Sequence, residues 1–240
     1  MLNDMNPTKP IAIEKRIIFA LDVESPQEAK KLVERLEDHI RFYKVGLQLF
    51  LAGWFKIIEW IVKRNLEVMV DLKFFDVPET VASAVGQLKD RGATFATVHG
   101  NDEILKAAVE KKNGTKILAV TVLTSLDQAD INELGFKCSV KELVLTRAKR
   151  ALAIGCDGVI SSGLEAPQLR ADLGNNFMIV VPGVRPVENR EDDQKRVVDV
   201  KSAFQNGADY IVVGRPIRLA SDPVAEVQRM QREIVEVLGH

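Results

Sequence analysis

Eight short apolar runs, rich in Val, Ile and Phe, recur along the chain at residues 16–22, 41–46, 67–72, 93–99, 116–123, 157–161, 177–182 and 209–214. Each is five to eight residues long and nearly continuous, as a parallel strand covered on both faces must be. Charged stretches of helical period separate them. Ser25-Pro26-Gln27-Glu28 predicts a capping box with proline at the first helical position, opening a helix to about Asp38. Ser139-Val140-Lys141-Glu142 predicts a second box, opening a helix toward Ile154. Asp222-Pro223 predicts the start of the last helix, where Val224, Val227, Met230, Ile234 and Leu238 share one face. Gly92, Gly155 and Gly207 stand where helices should stop before the next strand.

Strict alternation of strand and helix argues for a parallel sheet, and eight units in 240 residues suit a (β/α)8 barrel. A doubly wound sheet would want fewer strands and a glycine-rich first turn. The first run is instead followed by Asp22-Val23-Glu24-Ser25-Pro26. The expected fold is an α/β (β/α)8 TIM barrel, with residues 1–240 forming a single domain.

Charge and composition then remove whole classes of function. Thirty-three basic against 34 acidic residues leave a net charge of −1, so nothing argues for nucleic acid or an anionic membrane as partner. The longest apolar runs, such as residues 117–123 and 177–181, fall far short of the roughly 18 residues of a membrane span. Residues 1–10 lack the apolar centre of a signal peptide. The expectation is a soluble, cytoplasmic protein. Cys138 and Cys156 share no metal or redox spacing and read as idle thiols. With only three scattered histidines, no transition-metal site is expected.

Catalytic groups of such barrels lie at the C-terminal strand ends. Those ends carry Asp22, Lys44, Asp71 with Lys73, His99, Thr124 with Ser125, Ser161 with Ser162, Pro182-Gly183 and Gly214-Arg215. The densest segment is residues 70–80. Asp71 and Lys73 are two apart, so both point to one face while the strand lasts. Asp76 follows on the connecting loop, and Lys44 ends the neighbouring strand. Four alternating charges can share a barrel mouth because alternation permits pairing. Two blander readings stay open: Asp76 as the N-cap of the next helix with Glu79 completing a capping box, and Asp71 with Lys73 as a plain rim ion pair.

The second concentration lies at strands seven and eight, where barrel enzymes often bind phosphate. Pro182-Gly183-Val184-Arg185 ends one strand and Gly214-Arg215-Pro216 the other. The glycines let backbone N–H groups approach an anion. Arg215 can grip phosphate oxygens in a fork, and Arg185 and Gln194 could add donors. Turn glycines and solvated arginines on an ordinary rim would look the same. His99, with no flanking carboxylate or nucleophile, reads as a satisfied rim or core histidine. Trp54, Phe55 and Trp60 read as packing residues.

Asp71-x-Lys73-x-x-Asp76, preceded by Lys44 and followed by Thr80, resembles the signature of the orotidine 5′-phosphate decarboxylase family. The resemblance spans nearly the whole chain, through Asp22, Tyr43-Lys44-Val45-Gly46, Thr124-Ser125, residues 182–185, 192–196 and 212–217. The D-x-K-x-x-D block alone is shared by other phosphosugar barrels, whereas its combination with Lys44, Thr124-Ser125 and Asp-Asp-Gln-Lys-Arg is more specific. The resemblance implies a cofactor-free decarboxylase of orotidine 5′-monophosphate, forming uridine 5′-monophosphate (UMP) in pyrimidine biosynthesis. It makes Lys73 the proton donor to C6 and sets Asp71 against the departing carboxylate. Lys44 and Asp76 complete the charged tetrad, with Asp76 and Thr80 reaching in from the partner of a homodimer. Asp22 and Lys44 resemble ribose ligands, and Thr124 and Ser125 resemble contacts to the pyrimidine. Pro182, Arg185, Gln194, Gly214 and Arg215 belong to the phosphate end.

Two positions depart from the family pattern, Glu79 and the glycine-poor Gly100-Asn101-Asp102-Glu103. Both concern surroundings of the site. Two rivals remain, a Mg²⁺-dependent phosphosugar lyase and a non-catalytic phospholigand-binding barrel. The first would have an acidic residue where Lys44 stands, since an ammonium there repels a metal. The second would bind UMP and leave orotidylate unchanged.

Overall fold

The computed structural model describes residues 9–185 and 196–239. Eight parallel strands close into a barrel in chain order, the first pairing with the last. They are β1 (Ile17–Ala20), β2 (Phe42–Gly46), β3 (Glu67–Phe74), β4 (Phe95–Val98), β5 (Lys116–Val120), β6 (Gly158–Ile160), β7 (Met178–Val181) and β8 (Tyr210–Val213). Each predicted run holds one strand, trimmed by up to three residues at an end, except that β3 runs on to Phe74. The helices are α1 (Ile13–Arg16), α2 (Pro26–Leu36), α3 (Leu47–Val62), α4 (Pro78–Gly86), α5 (Asp102–Glu110) and α6 (Gln128–Glu133). They continue with α7 (Val140–Ile154), α8 (Ala166–Leu173), α9 (Val200–Gln205), α10 (Arg215–Arg218) and α11 (Pro223–Leu238).

Alternation across each strand sorts the apolar runs into two layers. Ile17, Phe19, Tyr43, Val45, Val68, Val70 and Ile179 face the helices in the larger core. Ile18, Phe42, Met69, Phe95, Leu118, Val180 and Tyr210 form the plug inside the barrel. Phe42, Phe95 and Tyr210 each open a strand, and their ring centroids lie 4.9 to 5.8 Å apart. Aromatic rings therefore fill the N-terminal end of the bore. One step up the same inward faces come Lys44 (two after Phe42), Asp71 (two after Met69) and Thr97 (two after Phe95). A strand whose first inward residue is apolar and whose last is polar builds a floor and a site at once.

Beneath the plug, Asp209 accepts from Lys9 Nζ and Arg170 Nη2, each at 2.7 Å, and from Ile179 N at 2.9 Å. Lys9 Nζ also donates to the Phe177 carbonyl. Arg16, 3% exposed, donates to the Asp209 and Lys9 carbonyls. One carboxylate thus ties two cations, Lys9 and Arg170, to the barrel floor, and Arg16 joins them through backbone carbonyls.

The caps form largely as their sequences dictate. Ser139 and Glu142 make both halves of a capping box, and Gly155 ends α7 at φ 104°. At α2 only the Ser25 half forms, Oγ accepting from Glu28 N at 3.2 Å. Asp222 caps α11, which buries Val227, Met230 and Ile234. Phe55 and Trp60 pack against the core as expected. Trp54 does not: it sits at a kink in α3 with φ 47° and is 62% exposed. Among the described residues no helix is long and apolar enough to cross a membrane.

Candidate active site

At the carboxyl end of the barrel, Asp22, Lys44, Asp71 and Lys73 form one chain of alternating charge. Lys44 Nζ lies 2.9 Å from Asp22 Oδ1 and 3.5 Å from Asp71 Oδ2, and Lys73 Nζ lies 2.9 Å from Asp71 Oδ1. Burial alone would push the Lys44 ammonium down. The charges of Asp71 and Asp22 outweigh it and hold the group above its ordinary value. For Asp71, burial would raise the carboxyl, but Lys44, Lys73 and two side-chain hydrogen bonds hold it below its ordinary value. The inner pair is therefore charged throughout the neutral range.

Thr97, fully buried on β4, fixes this chain from the side. Its hydroxyl donates to Asp71 Oδ1 at 2.9 Å and accepts from Lys73 N at 2.9 Å. That second bond holds the backbone of Lys73 where the β3–β4 register shifts and Lys73 adopts φ 45°. Positive φ is unfavourable for a side chain with a Cβ. The i, i+2 spacing thus does bring Asp71 and Lys73 together, but through a bulged strand end instead of regular alternation. Gly46 is a further requirement: a Cβ there would stand 2.9 Å from Lys44 Nζ and 3.3 Å from Asp22 Oδ1.

These groups line a cleft of about 580 Å³. Thr124 and Ser125 border it from the segment after β5, and Pro182, Gly183 and Arg185 from the segment after β7. Gly214 and Arg215 enter from the β8 end. Gly183 has φ 72°, a conformation suited to glycine. The cleft thus has an alternating-charge end at β1–β3 and a basic rim at β7–β8. Gln194 lies outside the described residues. Sequence reasoning missed Thr97, Gly46, Gln48 and Arg218 as site residues. Thr97 was findable from its inward register two residues after Phe95, Gln48 as the second residue of α3 beyond Gly46, and Arg218 from its i+3 spacing to Arg215; both Gln48 and Arg218 line the cleft.

Asp76 and Thr80 do not reach this cleft. Both are exposed, and among the described residues Asp76 Oδ1 accepts only from the adjacent Val77 N, at 2.7 Å. The capping reading of Asp76 is corrected: Val77 is the N-cap of α4 and makes no side-chain cap bond. In its place within one chain, Asp22 supplies the second carboxylate of the charged row. His99 is corrected too. Its Nδ1 is buried with no partner among the described residues, its ring meets Phe75 edge-on at 5.2 Å, and it borders a different cavity. Burial, then Arg147 and Lys73, push its imidazole down, so it is neutral near pH 7. Burial pushes the Cys156 thiol up to about 12, leaving it an inert thiol. Among the described residues no three His, Cys, Asp or Glu side chains cluster as a metal site.

Fold and site together define a (β/α)8-barrel enzyme with its polar machinery at the carboxyl ends of the strands. Residues 15–230 match the Orotidine 5'-phosphate decarboxylase / HUMPS family. The chain is 61% identical over 233 residues, 96% of each chain, to an orotidine 5′-phosphate decarboxylase of Methylococcus capsulatus. It is 46% identical to that of Nitrobacter winogradskyi, over 93% of this chain and 94% of the other. The crystal structure of orotidine 5′-phosphate decarboxylase from Lactobacillus acidophilus superposes with a TM-score of 0.81 at 35% identity, covering 92% of this chain and 99% of that one. This chain belongs to the orotidine 5′-phosphate decarboxylase / HUMPS family and is a carbon–carbon lyase of the carboxy-lyase class.

Proposed function

We propose that this enzyme converts orotidine 5′-monophosphate to UMP and CO₂ without a cofactor, with Lys73 as proton donor. The observation that carries the reading is the Lys73 ammonium, 2.9 Å from Asp71 and facing the cleft whose far rim carries Arg185 and Arg215. Heterolysis of the C6–carboxyl bond leaves the electron pair on C6, where no adjacent carbonyl delocalises it. A fixed ammonium beside that carbon stabilises the charge as it develops. The same group then donates its proton to C6, and water reprotonates the amine. Asp71 stands against the substrate carboxylate, Asp22 and Lys44 hold the ribose, and Thr124 and Ser125 meet the pyrimidine. Pro182, Gly183, Arg185, Gly214 and Arg215 hold the phosphate, whose contacts far from C6 supply binding energy to the reacting end.

The site is completed by a second copy of the chain. Asp76 and Thr80 are exposed, outside their own cleft. Phe75 (67% exposed) and Val77 (62%) flank Asp76, while Leu47 and Leu51 stay open on α3, which follows the adjacent strand. Such side chains mark a contact surface, and a homodimer covering them would carry Asp76 and Thr80 to the partner's cleft. The test is ultraviolet measurement of orotidylate decarboxylation. Wild type is expected to be active in excess EDTA, and Lys73→Ala to lose many orders of magnitude in kcat while staying folded. Loss of wild-type activity in chelator would favour a metal-dependent lyase, and near-normal turnover by Lys73→Ala would refute the assignment of the proton donor.

A further inference from the structure

We infer that Arg196 is a positioning residue for the pyrimidine end of the substrate, an inference that rests on the assignment of Thr124 and Ser125 to the base. Arg196 follows β7 in the chain, yet its side chain is buried, 8% exposed, and bonds groups that follow β5 and β6. Its Nη1 donates to Glu165 Oε1 at 2.7 Å. Its Nη2 donates to the carbonyls of Val122 and Leu123, each at 3.0 Å. Those carbonyls immediately precede Thr124 and lie beyond the end of β5 at Val120, where the strand ladder no longer supplies donors. Buried carbonyls need a donor from somewhere. For Val122 that donor is the guanidinium, and the Leu123 carbonyl accepts from the same nitrogen and from Leu126 N.

The same residue is held from the other side. Ser162 Oγ donates to the Arg196 carbonyl at 3.1 Å and accepts from Leu164 N at 3.2 Å. The segments after β5, β6 and β7 are thus joined through one side chain and its carbonyl. A buried guanidinium–carboxylate pair is a poor way to gain stability, because apolar residues of equal volume would often serve as well. Among the described residues, Arg196 Nε and Glu165 Oε2 are moreover buried without partners, so the pair falls short of full satisfaction there. Its distinctive property is direction. A planar guanidinium whose Nη1 is held by a fixed carboxylate aims its Nη2 at two successive carbonyls, a direction that the freely rotating ammonium of a lysine does not preset. Residues that contact a ligand need their supporting shell set to about half an ångström, and Thr124 and Ser125 follow directly on those carbonyls.

The experiment compares inhibition constants of UMP and of ribose 5-phosphate, which lacks the base, for wild type, Arg196→Lys and Ser125→Ala. Arg196→Lys is expected to weaken UMP by about tenfold or more, the loss of roughly 1.4 kcal/mol of base contact. Ribose 5-phosphate should stay within about twofold, since the ribose and phosphate contacts are untouched. Ser125→Ala should show the same selectivity. Should Arg196→Lys fail to fold, the double variant Arg196→Met/Glu165→Leu, which strands no buried charge, must give that selective loss. Unchanged UMP affinity, or equal weakening of both ligands, overturns the inference. If Ser125→Ala is itself unselective, the assignment of the base contacts fails and the inference falls with it. A selective Ser125→Ala beside an unselective Arg196→Lys overturns the role of Arg196 alone.

Discussion

Replacing Asp71 by asparagine keeps the shape of the side chain and removes the one negative charge that stands between Lys44 and Lys73. The consequence for stability can be worked from the geometry. Breaking a buried ion pair by deleting one partner costs about 3–5 kcal/mol. Lys44 keeps Asp22 at 2.9 Å after the change, and the Lys73 side chain, 39% exposed, is partly screened by water. The loss should therefore sit near the lower end, about 3 kcal/mol. With an m-value of about 3 kcal/mol per molar urea for a chain of this size, the unfolding midpoint should fall by roughly 1 M.

The pH dependence gives a second check on the same variant. The folded carboxyl lies below its ordinary value of 3.8, so the unfolded chain takes up its proton first as pH falls. The contribution of Asp71 is complete above about pH 5 and disappears as pH drops through the folded value. Urea titrations should show a constant gap between wild type and Asp71→Asn from about pH 5 to 8, closing in stronger acid. Turnover should fall by at least about a hundredfold, the usual effect of removing one group from a preorganised electrostatic site. Equal midpoints at pH 7, or a gap that widens in acid, would refute the account of Asp71 as the carboxylate shared by both lysines.

Three further outcomes follow from other parts of the molecule. Gly46→Ala places a Cβ 2.9 Å from Lys44 Nζ; a flexible ammonium can retreat, so the melting temperature should barely move while kcat/KM falls about tenfold or more. Asp209→Asn removes the carboxylate shared by Lys9 and Arg170 at the barrel floor. It should cost about 3–5 kcal/mol and roughly 10 °C in Tm, leaving the turnover of folded protein unchanged. Mixtures of inactive Lys73→Ala and Asp76→Ala chains should recover activity, because a mixed dimer holds one intact site; no recovery after verified subunit exchange would argue against a shared site.

The fold was legible because its signal is repetitive. Eight runs separated by capped helices leave little room for another topology, and both halves of the Ser139–Glu142 box form as written. Within the site, what could be read was what obeys the strand period. Lys44 and Asp71 lie two residues beyond Phe42 and Met69 on the inward faces, and Thr97 could have been found by the same rule. The positive φ of Lys73 breaks that rule; a local backbone strain held by the Thr97 hydroxyl leaves no mark in the pattern of apolar residues. Gly46 was equally silent, since its necessity arises from an ammonium arriving from two residues before it.

Asp76 is the residue for which the proposed homodimer supplies a reason that one chain does not. Its sequence context suits a helix cap, yet the cap position falls one residue later, at Val77, and no side chain fills it. Asp76 is left bonding the next backbone N–H, between two exposed apolar side chains. Neither feature serves an isolated barrel: exposing Phe75 and Val77 gains nothing, and the carboxylate reaches nothing in its own cleft. Both would gain a purpose at the proposed contact between two copies. Covering the apolar pair would supply association energy, and the carboxylate between them would be carried into a neighbour's row of charge as the contact forms. Within its own chain that row reads Asp22, Lys44, Asp71, Lys73 and ends on a cation, the position where a further negative charge is best accommodated.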